Sequence, residues 1–181
     1  MPILTDQELA RRAADLEWIL CDVDGVLTCG GLFYDRRGAV TLRFNVRDGM
    51  GMKLAQAAGL RVGLMSGRTA AAVDKRAAEL KLDAVHTGIG DKRAEFDAFL
   101  DKHNTVAKRV AFIGDDINDL AVLGHCGLSF APCDAVPEVK TVVHRVLKTA
   151  GGEGVVREMI EVLLRSRGDW DQQFSRFTYD S

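Results

Sequence analysis

Residues 18–28, Trp-Ile-Leu-Cys-Asp-Val-Asp-Gly-Val-Leu-Thr, pass from an almost wholly apolar run into two carboxylates and a glycine. Such a run suits a buried parallel strand over 18–23 whose carboxyl end meets solvent, which leaves Asp22 and Asp24 available for chemistry. Runs at 60–65, 83–86, 109–113 and 128–130 have the same character, and 142–146 is a candidate sixth strand. Between them, apolar residues recur at helical spacing over 49–58, 70–80, 92–103, 116–123 and 154–165. Strand alternating with helix implies a doubly wound α/β domain, a parallel sheet covered on both faces, with ligands bound beyond the carboxyl ends of its strands.

Upstream, Thr5 and Glu8 have the spacing of a capping box, so a helix is expected to run to about residue 16. Downstream, 31–34 and 39–44 flank Asp35-Arg36-Arg37-Gly38 and read as a β-hairpin inserted after the first strand. One domain is expected over 1–166, with a polar tail at 167–181 that carries four aromatics and reads as a frayed terminus.

Apolar residues make up 47% and charged residues 28% of the 181, with a net charge of -2, so neither a nucleic-acid nor a membrane surface is indicated. Cys21, Cys29, Cys126 and Cys133 lie singly and the histidines complete no zinc spacing, so the thiols read as reduced. The charged, amphipathic start has no apolar run of signal-peptide or membrane-span length, and a cytoplasmic address is expected.

The chemistry gathers after the strands. In Asp22-Val23-Asp24-Gly25, two carboxylates at i and i+2 can face one way if the chain turns at Asp24, which Gly25 makes easy. Ser66-Gly67-Arg68 places a hydroxyl and a cation where a strand meets a helix and free N–H groups favour an anion. Lys92 begins another helix, and Gly114-Asp115-Asp116-Ile117-Asn118-Asp119 is a dense acidic loop whose carboxylates repel one another without a cation. Hard oxygen ligands without His or Cys point to Mg²⁺. A receiver domain of a response regulator uses similar residue types, but there the acidic pair comes early and the phosphorylated Asp later, whereas here the richest acidic loop comes last. A catalytically idle assembly module is the non-enzymatic alternative.

In DVDGVLT, SGR, Lys92 and GDDIND the chain resembles the haloacid dehalogenase superfamily of phosphatases over nearly its whole length. The resemblance implies that Asp22 is the nucleophile, that Asp24 is the acid/base, and that Ser66 and Lys92 hold the phosphoryl oxygens. It further implies Mg²⁺ bound by Asp22, the main-chain carbonyl of Asp24, and Asp115, with Asn118 and Asp119 in support. Many superfamily members carry a cap domain between these motifs, for which this chain has no room, so a neighbouring subunit is the simplest cover. The hairpin, with Leu32, Phe33, Tyr34 and Phe44, supplies either that contact or a ribbon packed on its own domain.

The capless layout, with GGLFYDRRG, FNVRDGMGMK and GGEGVVRE, is similar to the 3-deoxy-D-manno-octulosonate 8-phosphate phosphatase family. That resemblance implies a homotetramer, a sugar-acid phosphate substrate and a place in lipopolysaccharide biosynthesis. By matching position it implies substrate contacts from Asn45, Val46, Arg47, Asp48, Gly49, Lys53, Arg68 and Arg76, of which Arg76 reads equally well as a solvated helix residue. The chain departs from the family at Cys29 (usually Asp), Lys53 (more commonly Arg) and Glu153 (often Arg). Because Glu153 also occurs in relatives acting on nine-carbon keto-sugar acids, a 9-phosphate such as that of 2-keto-3-deoxynononate or an acylneuraminate is the alternative substrate.

Overall fold

All four residues of the strand opened by Trp18 are buried, Ile19 and Cys21 in one apolar cluster and Trp18 and Leu20 in another. A strand enclosed in this way lies inside a sheet covered on both faces. The computed structural model describes residues 4–179. Along the chain run α1 (Asp6–Ala14), β1 (Trp18–Cys21), the hairpin strands β2 (Phe33–Tyr34) and β3 (Val40–Thr41), α2 (Val46–Ala57), β4 (Arg61–Met65), α3 (Ala71–Leu80) and β5 (Ala84–His86). There follow α4 (Lys92–Lys102), β6 (Val110–Ile113), α5 (Leu120–Leu123), β7 (Leu128–Ala131), α6 (Pro137–Val142), β8 (Arg145–Val146), α7 (Val155–Arg167) and α8 (Trp170–Tyr179).

Six strands form a parallel sheet in the order β5-β4-β1-β6-β7-β8, and β2 and β3 pair antiparallel on their own. The order of connection reverses between β1 and β6, and at such a switch point a doubly wound sheet opens a crevice beyond its strand ends. Cys21 lies in register with Leu64 on one side and Ile113 on the other. The residues next along the chain, from Asp22, Met65 and Gly114 onward, therefore emerge side by side along one rim.

Each face of the sheet has its own core. Leu9, Met52, Leu54, Val156, Met159 and Ile160 pack on one side, and Phe96, Phe99, Val122 and Leu123 on the other. Fully burying a Phe or Leu stabilises by about 1.5–3 kcal/mol, so these faces outweigh any local propensity. The Thr5–Glu8 capping box forms as expected, with Thr5 N–H donating to Glu8 Oε2 at 3.0 Å and Glu8 N–H to Thr5 Oγ1 at 3.3 Å. α2 starts earlier than its apolar spacing indicates, because Asn45 Oδ1 accepts from Arg47 N–H at 2.9 Å and caps the helix there.

Two expectations are corrected. The strand expected at 142–146 is only Arg145–Val146, because Pro137, preset for a first helical turn, starts α6 and carries the helix to Val142. The tail at 167–181 is not frayed through its described part: α8 packs on α7, with the Arg157 and Arg165 guanidinium carbons 5.6 and 4.4 Å from the Trp170 ring centroid. Its last two residues, like the first three of the chain, lie outside the described residues.

His144, just before β8, is a buried polar residue. Ser129 N–H donates to its Nδ1 at 3.0 Å, and Arg12 Nη1 lies 3.0 Å from Nε2. Burial, and then the Arg12 charge, push its pKa down from 6.5 to about 4. A depressed histidine is neutral in the fold, so its contribution is unimpaired above pH 6.5 and is lost as the unfolded chain takes up the proton between pH 6.5 and 4. Wild type should therefore lose more unfolding stability than His144→Asn across that interval in urea titrations at a series of pH values. Parallel declines would show that His144 contributes nothing to the acid sensitivity.

Candidate active site

The rim of the sheet gathers carboxylates. One oxygen each from Asp22, Asp115 and Asp119 lies within 4.8 Å of the others. Asp22 N–H donates to Ile113 O at 3.0 Å, which ties the start of the first acidic turn to the end of β6. Gly25, with φ +80°, makes the close approach feasible, because a Cβ there would stand 2.0 Å from Asp115 Oδ2. Gly114 does the same for Asp119, whose carboxylate carbon would lie 2.5 Å from an added Cβ.

Lys92 enters this cluster from the first turn of α4. Its Nζ lies 2.8 Å from Asp22 Oδ1 and 2.6 Å from Asp119 Oδ1, and all three residues are buried. Asp119 Oδ2 accepts the N–H of Asp115 at 3.1 Å, so Asp119 braces both the lysine and the acidic loop. Burial and then the Asp119 charge push Asp22 up to about 7, against the pull of Lys92. Asp115 is likewise pushed up to about 7 by burial, then by Asp119 and Asp116. Burial pulls Lys92 down, yet the charges of Asp22 and Asp119 outweigh it and hold the ammonium above its ordinary value. An isolated ion pair would lower its acid; here the acids rise because burial first, and then the neighbouring carboxylates, outweigh the pull of one ammonium.

That excess of negative charge, on hard oxygen atoms, fits a divalent cation of the magnesium type. Adding Mg²⁺ should raise the melting temperature, by the equivalent of about 2.7 kcal/mol at a hundredfold excess over Kd. Asp115→Asn should melt higher than wild type in chelator and gain nothing from Mg²⁺. A metal-induced shift retained in full by this variant, read by calorimetry, would remove Asp115 from the ligand set.

A cleft of about 790 Å³ opens over the cluster, lined by Asp22, Asp24, Gly25, Cys29, Gly30, Gly67, Arg68, Thr69, Asp115, Asp116, Asn118 and Asp134. Ser66 lies buried just behind it, its Oγ accepting the N–H of Arg68 at 3.2 Å. Asp24 stands on a wide turn over Val23–Leu27 and accepts a hydrogen bond from Arg68 Nε at 3.1 Å through Oδ2. Sequence reasoning missed Thr69 and Asp134; the rule that directed attention to residues following strands also pointed to Asp134, just beyond β7.

Of the eight expected substrate contacts, only Arg68 lines this cleft in a single chain. Asn45 caps α2, Val46 is exposed, and Arg47 lines a separate polar groove with Glu153 and Arg157. Asp48 is buried and accepts the N–H of Arg157 at 2.8 Å, capping α7, with its pKa pushed up to about 6 by burial. Gly49 leaves room for Arg76, whose Nη2 would lie 2.4 Å from an added Cβ and whose Nη1 is 3.3 Å from Glu79. Lys53 is an exposed residue of α2. Glu153 pairs with Arg43, which also donates to Gly152 O at 3.3 Å.

A buried carboxylate paired with an ammonium, beside a carboxylate cluster of the kind that holds a hard cation, at the switch point of a doubly wound sheet, is an arrangement suited to phosphoryl transfer. A family model described as haloacid dehalogenase-like hydrolase matches residues 89–159, and the chain belongs to that family as a phosphoric monoester hydrolase. It is 36% identical over 160 residues to the 3-deoxy-D-manno-octulosonate 8-phosphate phosphatase KdsC of Haemophilus influenzae, covering 88% of this chain and 89% of that protein. The structure of the Moraxella catarrhalis 3-deoxy-D-manno-octulosonate 8-phosphate phosphatase in complex with magnesium ion, phosphate ion and KDO superimposes with a TM-score of 0.92 at 28% identity, covering 95% of this chain and 99% of that one. The cobalt-bound Haemophilus influenzae enzyme superimposes with a TM-score of 0.85 at 36% identity, covering 90% and 98%. Membership of a hydrolase family sets aside the idle-module alternative.

Proposed function

We propose that this chain hydrolyses 3-deoxy-D-manno-octulosonate 8-phosphate to the free sugar acid and phosphate, through an aspartyl-phosphate on Asp22. The observation that carries the reading is the Asp22 carboxylate, 2.8 Å from Lys92 Nζ and clustered with Asp115 and Asp119 at the head of the cleft. An Asp22 oxygen attacks phosphorus, the ester P–O bond breaks, and the leaving alkoxide takes a proton from Asp24. Water then attacks the phosphorus of the acyl phosphate and gives its proton to the Asp24 carboxylate, which frees phosphate and restores Asp22. Lys92 and the Ser66 loop hold positive potential against the phosphoryl oxygens as charge develops. Asp22, Asp115 and the Asp24 carbonyl, supported by Asn118 and Asp119, would hold Mg²⁺, which would supply charge neutralisation for the phosphoryl group.

The active form is a homotetramer, in which hairpins and C-terminal tails of neighbouring chains close the cleft. Phe33 and Tyr34 at the hairpin are 63% and 62% exposed, apolar surface of the kind a partner covers. Among the described residues no helix is long and apolar enough to cross a membrane, and the proposed reaction takes place in the cytoplasm on a sugar phosphate destined for lipopolysaccharide. The relatives named above carry the eight-carbon activity, and they lend no support to the nine-carbon alternative.

Side-by-side kinetics with Mg²⁺ test the substrate. The eight-carbon keto-sugar phosphate should exceed the nine-carbon one in kcat/KM by about tenfold or more, as a pocket built to pair polar groups discriminates. Equal or reversed preference would overturn the assignment while leaving the hydrolase chemistry intact.

A further inference from the structure

The carboxylate assigned to proton transfer is restrained. Asp24 Oδ2 is held by Arg68 Nε at 3.1 Å, in a pair whose side chains are 28% and 41% exposed, and Asp24 Oδ1 is buried without a hydrogen-bond partner. A buried, unpaired carboxylate oxygen is an uncompensated cost, so one half-exposed ion pair maintains this arrangement against a penalty. The main chain on both sides is fixed. Asp24 sits at φ −73° and ψ 121° before Gly25, Val26 O accepts from Gly152 N–H at 2.8 Å, and Arg68 N–H is held by Ser66 Oγ at 3.2 Å. The freedom that remains is in the two side chains.

We propose that Arg68 is a specificity-determining residue: it restrains Asp24 until a second anionic group of the substrate, a carboxylate, takes over the guanidinium and releases Asp24 for proton transfer. Arg68 lines the cleft within reach of a ligand, and a guanidinium offers a planar fork of donors that matches a carboxylate bidentately. Once the guanidinium leaves, the unpaired Oδ1 gives Asp24 no reason to keep its resting position. Phosphate esters without a carboxylate leave Arg68 on Asp24 for most of the time and react with the acid only partly available. An open cleft thereby discriminates in kcat, through the readiness of its acid, as well as in binding. The inference rests on the acid/base role given to Asp24 under the proposed function.

The test compares a carboxylate-free alkyl phosphate, mannose 6-phosphate, with the eight-carbon keto-sugar acid phosphate. In Arg68→Met, kcat on mannose 6-phosphate should rise about threefold, the size of a broken half-exposed ion pair, while kcat/KM on the acid phosphate falls by about tenfold or more. Adding Arg68→Met to Asp24→Asn should bring no such rise. An unchanged or lower kcat of Arg68→Met on mannose 6-phosphate would overturn the proposal and leave Arg68 as a simple substrate contact. Should Arg68→Met not fold, the nearly isosteric Asp24→Asn decides alone: its loss in kcat should be about threefold greater on the acid phosphate than on mannose 6-phosphate. Equal losses would overturn the proposal. Wild type that hydrolyses neither ester would instead refute the proposed function, and the inference with it.

Discussion

Asp22→Asn is expected to reduce turnover by about 10⁴-fold or more while leaving the fold intact, the scale on which removal of a covalent nucleophile acts. The substitution keeps the side-chain volume in a position that is 4% exposed, so no cavity forms. It also strands no charge, because Lys92 keeps Asp119 at 2.6 Å when its contact with Asp22 loses a negative partner. Asp22 is pushed up to about 7 by burial and by Asp119, so replacing it with a neutral amide relieves repulsion and should leave the metal-free protein at least as stable as wild type. Acid quenching during turnover should trap phosphate covalently on wild type and not on the variant. A variant retaining activity within about tenfold of wild type would place the nucleophile elsewhere.

Asp24→Asn should lower kcat on the keto-sugar acid phosphate by about 10²-fold or more, the contribution typical of general acid–base catalysis, with Mg²⁺ binding largely kept. The separation is expected because the Asp24 carboxylate points to Arg68, while the three clustered carboxylates belong to Asp22, Asp115 and Asp119. The loss should shrink with aryl phosphates whose leaving group needs no proton. Unchanged kcat on the keto-sugar acid phosphate would refute the acid/base role, and loss of the Mg²⁺-induced thermal shift would mean that the Asp24 side chain supports the metal.

The parts of the molecule legible in its sequence are those written in local signals. The apolar run into Asp22 is buried on both faces and can only be an interior strand, and its carboxyl end must open at the rim. The Thr5–Glu8 box is a matter of spacing alone, and it forms. The tail holding α8 reads as frayed, although Trp170, Phe174 and Phe177 fall at helical spacing, because its polar composition conceals a helix whose anchor is the stacking of Arg157 and Arg165 on Trp170. The strand expected at 142–146 failed for the converse reason: its apolar residues suit either structure, and Pro137 upstream decided for a helix.

By itself the sequence determined the kinds of reactive group and the strand ends from which they would rise, because a chain alternating between periods of two and 3.6 has few ways to bury itself. Only the tertiary structure decided how those groups are shared. Asp119 is braced between Lys92 and the backbone of its own loop, Asp48 is committed to capping α7, and Arg68 turns onto Asp24 across 44 residues of chain. Such pairings depend on which strands lie side by side and on which rotamers their packing admits, and neither leaves a period or a spacing in the chain.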